Sequence, residues 1–163
     1  MRPFALTLVA TLAVCGCAGV SPPMPSGPAT ADQRTAAAEA LTVETQWLQS
    51  WFRGTPVTVG QREDGSLGID VPREFCFEPG RSSVKPALAA VLDKVAESLR
   101  RAPRAQLTLL AAPDDAGGAS ALALQRATQI RDHLRSRGVP ESRLGKPVAA
   151  TGAAVRLRME NAP

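Results

Sequence analysis

The chain has 163 residues, a formal net charge of +4, three cysteines and one histidine. So small a charge gives no electrostatic case for nucleic acid, and a single histidine cannot build an ordinary zinc site with what is here. No glycine-rich phosphate loop, Cys-x-x-Cys pair or dinucleotide fingerprint is present, and the length allows one domain plus an arm.

Residues 1–16 read as an export signal: one cation at Arg2, an apolar run from Phe4 to Val14, then V-C-G-C at Val14 to Cys17. Val14 stands three residues before Cys17 and Gly16 just before it, the spacing of a lipobox with Cys17 as the acylated residue. Cys15 is the poorer alternative, because Val14 would precede it directly. A plain secretory signal is the blander reading, and the apolar stretch is too short to span a bilayer. With Cys17 acylated, the processed chain retains Cys76 as its one thiol, so no internal disulfide can form. Cys76 lies between Phe75 and Phe77, where a small buried hydrophobe is expected. Two or more acyl chains suffice for stable anchoring. The residue after Cys17 is Ala18 rather than Asp, which resembles the outer-membrane lipoproteins of Gram-negative bacteria.

Residues 17–30 carry S-P-P-M-P-S-G-P in their middle, an extended tether of polyproline character that cannot form a core. Residues 31–54 form an N-terminal helix, with Ala36, Ala40, Val43, Trp47 and Trp51 on one side and Leu41 and Leu48 widening the stripe. That helix is expected to pack back on its own domain, with a docking surface for a partner as the alternative. Gly54 and Pro56 stop it.

The remaining residues, 55–163, form one domain. Val57, Val59, Leu67, Ile69 and Val71 alternate around Arg62-Glu63-Asp64-Gly65, which predicts a hairpin with an Asp-Gly turn. Phe75 and Phe77 read as further strand material after a break at Pro72. A helix from about Val84 to Arg101 has the stripe Leu88, Val91, Leu92, Val95 and Leu99, with Pro86 in its first turn and Ser82 or Ser83 as cap. Arg100 and Arg101 suit the dipole of its last turn. Gln106 to Ala111 is a short apolar run that reads as a central strand buried on both faces. A further helix from about Ala119 to Arg137 turns Leu122 or Ala123, Ala127, Ile130 and Leu134 inward and ends at Gly138. Val155, Leu157 and Met159, alternating with Arg156 and Arg158, make the last strand. The fold class is therefore α+β: a two-layer mixed sheet with two helices packed on one face, in the order βαβαβ, preceded by the N-terminal helix and hairpin. Arg131, Arg135, Arg137 and Arg143 are expected on a solvated face, and His133 as a half-exposed structural side chain.

F-C-F-E-P-G-R-S-S-V-K-P at Phe75 to Pro86, Asp114 at the end of the second strand, and L-A-L-Q-R-A at Leu122 to Ala127 appear in that order. This frame, covering about Leu67 to Met159, resembles the OmpA-like peptidoglycan-binding domain. The resemblance implies that Asp114 and Arg126 clamp the ammonium and carboxylate of a diaminopimelate residue in the peptidoglycan stem peptide, through noncovalent contact and without enzymatic activity or cofactor. An arginine can grip a carboxylate through two parallel hydrogen bonds, and the helix N-terminus near Ala119 offers further N–H groups. This chain departs from the family around the site. A-A-P-D at Ala111 to Asp114 stands where Gly-His-Thr-Asp or Gly-Tyr-Thr-Asp is usual. The loop before Arg126 is about three residues shorter than usual, with Ala119 where the family has Asn. G-A-A-V at Gly152 to Val155 replaces Asn-Arg-Arg-Val. Asp115 could take the place of Asp114 in the shortened loop.

The expected function is that of an outer-membrane lipoprotein, its domain facing the periplasm, tethering the envelope to peptidoglycan. The alternative is a degenerate domain that serves as a protein interaction module in an envelope or secretion assembly. The geometry between Asp114 and Arg126 discriminates: a shared concave pocket favours binding, and an Arg126 committed to another salt bridge favours the module. Gly118 to Leu122, G-A-S-A-L, superficially matches a nucleophile elbow but lacks its second glycine. Metabolic labelling with a fatty acid should mark the wild-type chain and vanish in Cys17→Ser. Label persisting there would move the lipid to Cys15 or disprove lipidation.

Overall fold

The computed structural model describes residues 31–162; the signal, the lipobox cysteines Cys15 and Cys17 and the Pro-rich tether lie outside the described residues. The elements in chain order are helix α1 (Ala31–Trp51), strands β1 (Thr58–Gln61) and β2 (Leu67–Pro72), helix α2 (Pro86–Arg101), strand β3 (Ala105–Ala112), helix α3 (Ala121–Ser136), and strands β4 (Pro147–Ala149) and β5 (Ala154–Asn161). Short 3-10 turns fall at Arg73–Phe75 and Glu141–Arg143. One five-stranded sheet runs in the order β1-β2-β5-β3-β4, antiparallel except for the β3–β4 pair.

The expected α+β architecture is present, with an added edge strand. β4 escaped the sequence pattern because its three residues begin with Pro147 and leave Val148 exposed, so they show no alternation. β3 is an interior strand, as expected, between β5 and the short β4, and β5 is the middle strand of the five. Val155, Leu157 and Met159 of β5 are buried beneath the helices, while Arg156 and Arg158 point to the other, wetter face. The apolar run in β3 looked two-sided for a local reason. A register shift between Leu107 and Leu109 puts Leu107, Leu110 and Ala112 together in the core, where strict alternation would have paired Leu107 with Leu109.

The β1–β2 hairpin turns at Asp64-Gly65 as its sequence predicts. Gly65 has φ +79°, a left-handed conformation that glycine adopts without a Cβ penalty. Asp64 accepts from the Ser66 amide (3.0 Å) and hydroxyl (2.5 Å) and pairs with Arg158. Beyond Pro72 the expected strand does not continue. Arg73 to Phe75 coil into a turn, and Phe77 keeps a single bridge, to Val84. The turn exposes Phe75 while burying Cys76 and Phe77. Burial pushes the Cys76 thiol up to about 12, so it packs as an inert small hydrophobe.

Helix α2 buries all five residues of its stripe, each worth about 1.5–3 kcal/mol of apolar burial. Neither Ser82 nor Ser83 caps it. Lys85 holds the cap position without a side-chain bond, its extended backbone imposed by the following Pro86, whose missing N–H leaves one donor fewer to satisfy. Helix α1 does pack on its own domain, through Leu41 and Leu48 at the widened edge of the expected stripe together with Glu44 and Thr45, and not through the centre of that stripe. Val43 and Trp51 of that stripe are exposed and Trp47 is half-buried. The reason is polar. Glu44 is buried because its carboxylate accepts from Ser98 Oγ (2.8 Å) and Arg101 Nε (3.1 Å), which rotates the helix toward α2.

Arg143, expected on a solvated face, is structural. Its Nε and Nη2 donate to the carbonyls of Leu99, Ala102 and Ala105 at 2.5–2.7 Å, satisfying the end of α2 and the start of β3, and its partial burial lowers its pKa. A solvated arginine would be replaceable within about 0.5 kcal/mol. Here Arg143→Ala should lower the unfolding free energy by about 1–3 kcal/mol, measured by chemical denaturation.

Candidate functional site

The carboxyl end of β3 meets three loops. Asp114 follows the strand by two residues and folds into its own loop. Its amide donates to Gly118 O (2.9 Å), and its Oδ1 accepts from the amides of Gly118 (2.6 Å) and Ala116 (2.9 Å). The Gly118 amide first, and the Ser120 hydroxyl next, hold the Asp114 carboxyl below the usual carboxylate range. Asp115 is 45% exposed and reaches the other way: Oδ1 accepts from Arg126 Nη2 at 2.5 Å and Oδ2 from the Gly80 amide at 2.6 Å. The bond from Arg126 is the chief cause of its lowered pKa.

Arg126 lies on the inward face of α3 with its side chain 0% exposed. Its Nε donates to Arg81 O (2.9 Å), Nη1 to Pro113 O (3.1 Å) and Nη2 to Glu78 O (3.3 Å) as well as to Asp115. The guanidinium also stands 4.9 Å from the centre of the Phe77 ring. This is a buried charge in which every guanidinium nitrogen donates to an acceptor. The segment between the Phe77–Val84 bridge partners is thus closed at its neck and tied at its tip to the loop after β3.

The third loop joins β4 to β5. Gly152 donates to Gly117 O at 2.9 Å, and a Cβ on Gly117, which has φ +80°, would come within 3.0 Å of Gly152 O. The absence of a Cβ on Gly117 therefore lets the two backbones touch, whereas a Cβ on Gly152 would meet nothing within 4 Å.

Asp114 and Arg126, expected as a clamp, stand in the same loop cluster but do not pair. The ion pair of Arg126 goes to Asp115, the neighbour left open as the alternative, because the shortened loop spends the Asp114 carboxylate on its own amides. Ser120 caps α3, its Oγ accepting from Ala123 N (3.4 Å). His133 is bonded to Asp93 at 2.8 Å, away from these loops, in the structural role expected of it. Asp93 also pairs with Arg137 at 2.7 Å. Sequence reasoning missed Arg73. Its amide donates to Ala153 O (2.9 Å) and its Nη1 to Asp114 O (3.3 Å), which places it against this cluster. It lies in a turn with no periodicity to single it out.

A mixed sheet covered by helices on one face, with acidic loops at the end of its third strand, is the architecture that the sequence frame implied. Residues 76–161, more than half of the chain, match the OmpA family, and the chain belongs to it. Among individual relatives, it is 29% identical over 107 residues to YiaD of Escherichia coli (strain K12), described as a probable lipoprotein. The match covers 64% of this chain and 48% of YiaD, so the chain spans about half the length of that relative. Among solved structures, a MotB-like protein from Desulfovibrio vulgaris superposes with a TM-score of 0.61 at 17% identity, covering 80% of this chain and 96% of its own. The periplasmic domain of Helicobacter pylori MotB gives 0.53 at 15% identity, covering 66% and 79%. At those identities the likeness is one of fold.

The Asp115 carboxyl binds its proton less readily when folded than when unfolded. Its contribution to stability is therefore complete above the unfolded pKa of about 3.9 and is lost as pH falls through the lower folded value. Urea midpoints of the wild type and Asp115→Asn should accordingly differ at neutral pH, the wild type being the more stable, and converge in acid. A gap independent of pH would contradict the pairing.

Proposed function

We propose that this chain is an outer-membrane lipoprotein whose OmpA-like domain binds peptidoglycan noncovalently and so tethers the envelope. The observation that carries this reading is the pair of carboxylates, Asp114 and Asp115, held anionic at one point where three loops meet. A diaminopimelate side chain ends in an ammonium and a carboxylate on one carbon, and two fixed anions suit the ammonium through charge-assisted hydrogen bonds. Arg126 belongs to the site behind them: wholly covered, it orients Asp115 and locks the loops. The lipobox ending at Cys17, with Ala18 after it, supports the anchor, as does the likeness to a relative described as a lipoprotein. Membership of the OmpA family supports the ligand class.

A second reading, a protein interaction module, is favoured by the salt bridge that occupies Arg126 and by an apolar groove of about 480 Å³. Trp51, Phe52, Val71, Phe75, Val91 and Lys94 are among its lining residues. Trp51 is 52% and Phe75 41% exposed there. The detergent-solubilised full-length chain should co-sediment with purified diaminopimelate-type sacculi at low salt. The Asp114→Ala, Asp115→Ala double variant should bind about tenfold more weakly or worse. Absence of wild-type co-sedimentation would sink the tether and leave the module, whereas undiminished binding by the double variant would reject the site.

A further inference from the structure

The site as described has anions for an ammonium but no exposed cation from α3. A ligand with both charges on one carbon needs a cation within a few ångströms of the anions, and Arg126 cannot supply it. Its side chain is 0% exposed, and each of its three nitrogens already donates, to three carbonyls and to Asp115. Residues 152–154 offer no charge either.

Arg73 fills that gap. The turn after β2 carries it, and its backbone is pinned to the β4–β5 loop through Ala153 O. Its side chain is half-buried against the loop after β3, with Nη1 on Asp114 O at 3.3 Å and 3.4 Å from where a Gly117 Cβ would sit. That bond to a carbonyl is its one side-chain hydrogen bond among the described residues, and no carboxylate pairs with it directly. Arg62, Arg101, Arg131, Arg135, Arg137 and Arg158 each hold a carboxylate of this chain. Arg73 is instead positioned against the backbone of the loop that carries Asp114 and Asp115, with its remaining N–H groups unspent. Its charge also contributes, as a lesser cause, to holding the Asp115 carboxyl low.

Resting on the peptidoglycan reading above, we propose that Arg73 is the carboxylate-binding residue of this site, gripping the carboxylate of an amino-acid end group whose ammonium lies on Asp114 and Asp115. The planar fork of an arginine can take both oxygens of that carboxylate at once, which a lysine cannot reproduce. The site therefore selects an end group that carries both charges over one that carries an ammonium alone. The cation facing the ligand comes from the turn after β2, while the α3 arginine stays behind the loops.

The test uses the detergent-solubilised full-length chain and two synthetic stem tripeptides, one ending in diaminopimelate with its side-chain carboxylate free and one with that carboxylate amidated, titrated calorimetrically. The wild type should bind the free acid about tenfold more tightly than the amide. Arg73→Gln should weaken the free acid by about that factor, leave the amide unchanged and so abolish the preference. Its thermal midpoint should stay near that of the wild type, since one carbonyl contact is lost. Arg73→Gln retaining the preference, or a wild type that binds both peptides equally, overturns the assignment of Arg73 while the peptidoglycan reading stands. A wild type that binds neither peptide overturns both.

Discussion

A guanidinium cannot shed its proton at any pH a protein survives, so when it is buried the fold must bring acceptors to it. Arg126 meets that demand with carbonyls from two separate loops, at Glu78, Arg81 and Pro113, and with the Asp115 carboxylate. Everything at the carboxyl end of β3 follows from this. The loop after Phe77 is drawn in, the Asp115 carboxylate is held against Arg126 and Asp114 is left to close its own turn. The cost of leaving any of these acceptors or donors unmet would be one to a few kcal/mol, which is large against the stability of a small domain.

The scaffold beneath that cluster rests on a different and simpler force. Five apolar residues of α2 and three of β5 share one core between the helices and the sheet, joined by Leu41 and Leu48 of α1. Three helices on one side leave the other side of β5 to arginines, so one face of the sheet is dry and the other carries charge. Because the loops at the strand end are fixed to this layer by backbone bonds, such as Arg73 N to Ala153 O and Ala150 N to Ala112 O, the charged groups of the site keep their spacing without help from a ligand. That is the preorganisation a receptor for a small charged group requires.

The departures from the family frame acquire physical content in this setting. Gly117, by lacking a Cβ, permits direct backbone contact with Gly152, and the trimmed loop commits Asp114 to capping its own amides. A site with fewer side chains is thus also a tighter one, and the balance of charge exposed at its rim falls to Asp114, Asp115 and Arg73.

The strongest periodicities were legible in the sequence by itself. The stripe from Leu88 to Leu99, the alternation from Val155 to Met159 and the Asp64-Gly65 turn each arise from local geometry, where side-chain spacing alone decides which face is buried. The Phe75 to Pro86 frame and the L-A-L-Q-R-A segment pointed to the family for the same reason: they are contiguous. Which face of α1 turns inward was decided by Glu44 finding Ser98 and Arg101, residues more than fifty positions away. The partner of Arg126, the burial of Arg143 and the placement of Arg73 beside Asp114 likewise depend on loops brought together from distant parts of the chain. Local patterning specifies elements because its period is written in neighbouring residues. The pairing of charges waits for tertiary structure, since a guanidinium selects among whatever acceptors the packed loops bring within about 3 Å.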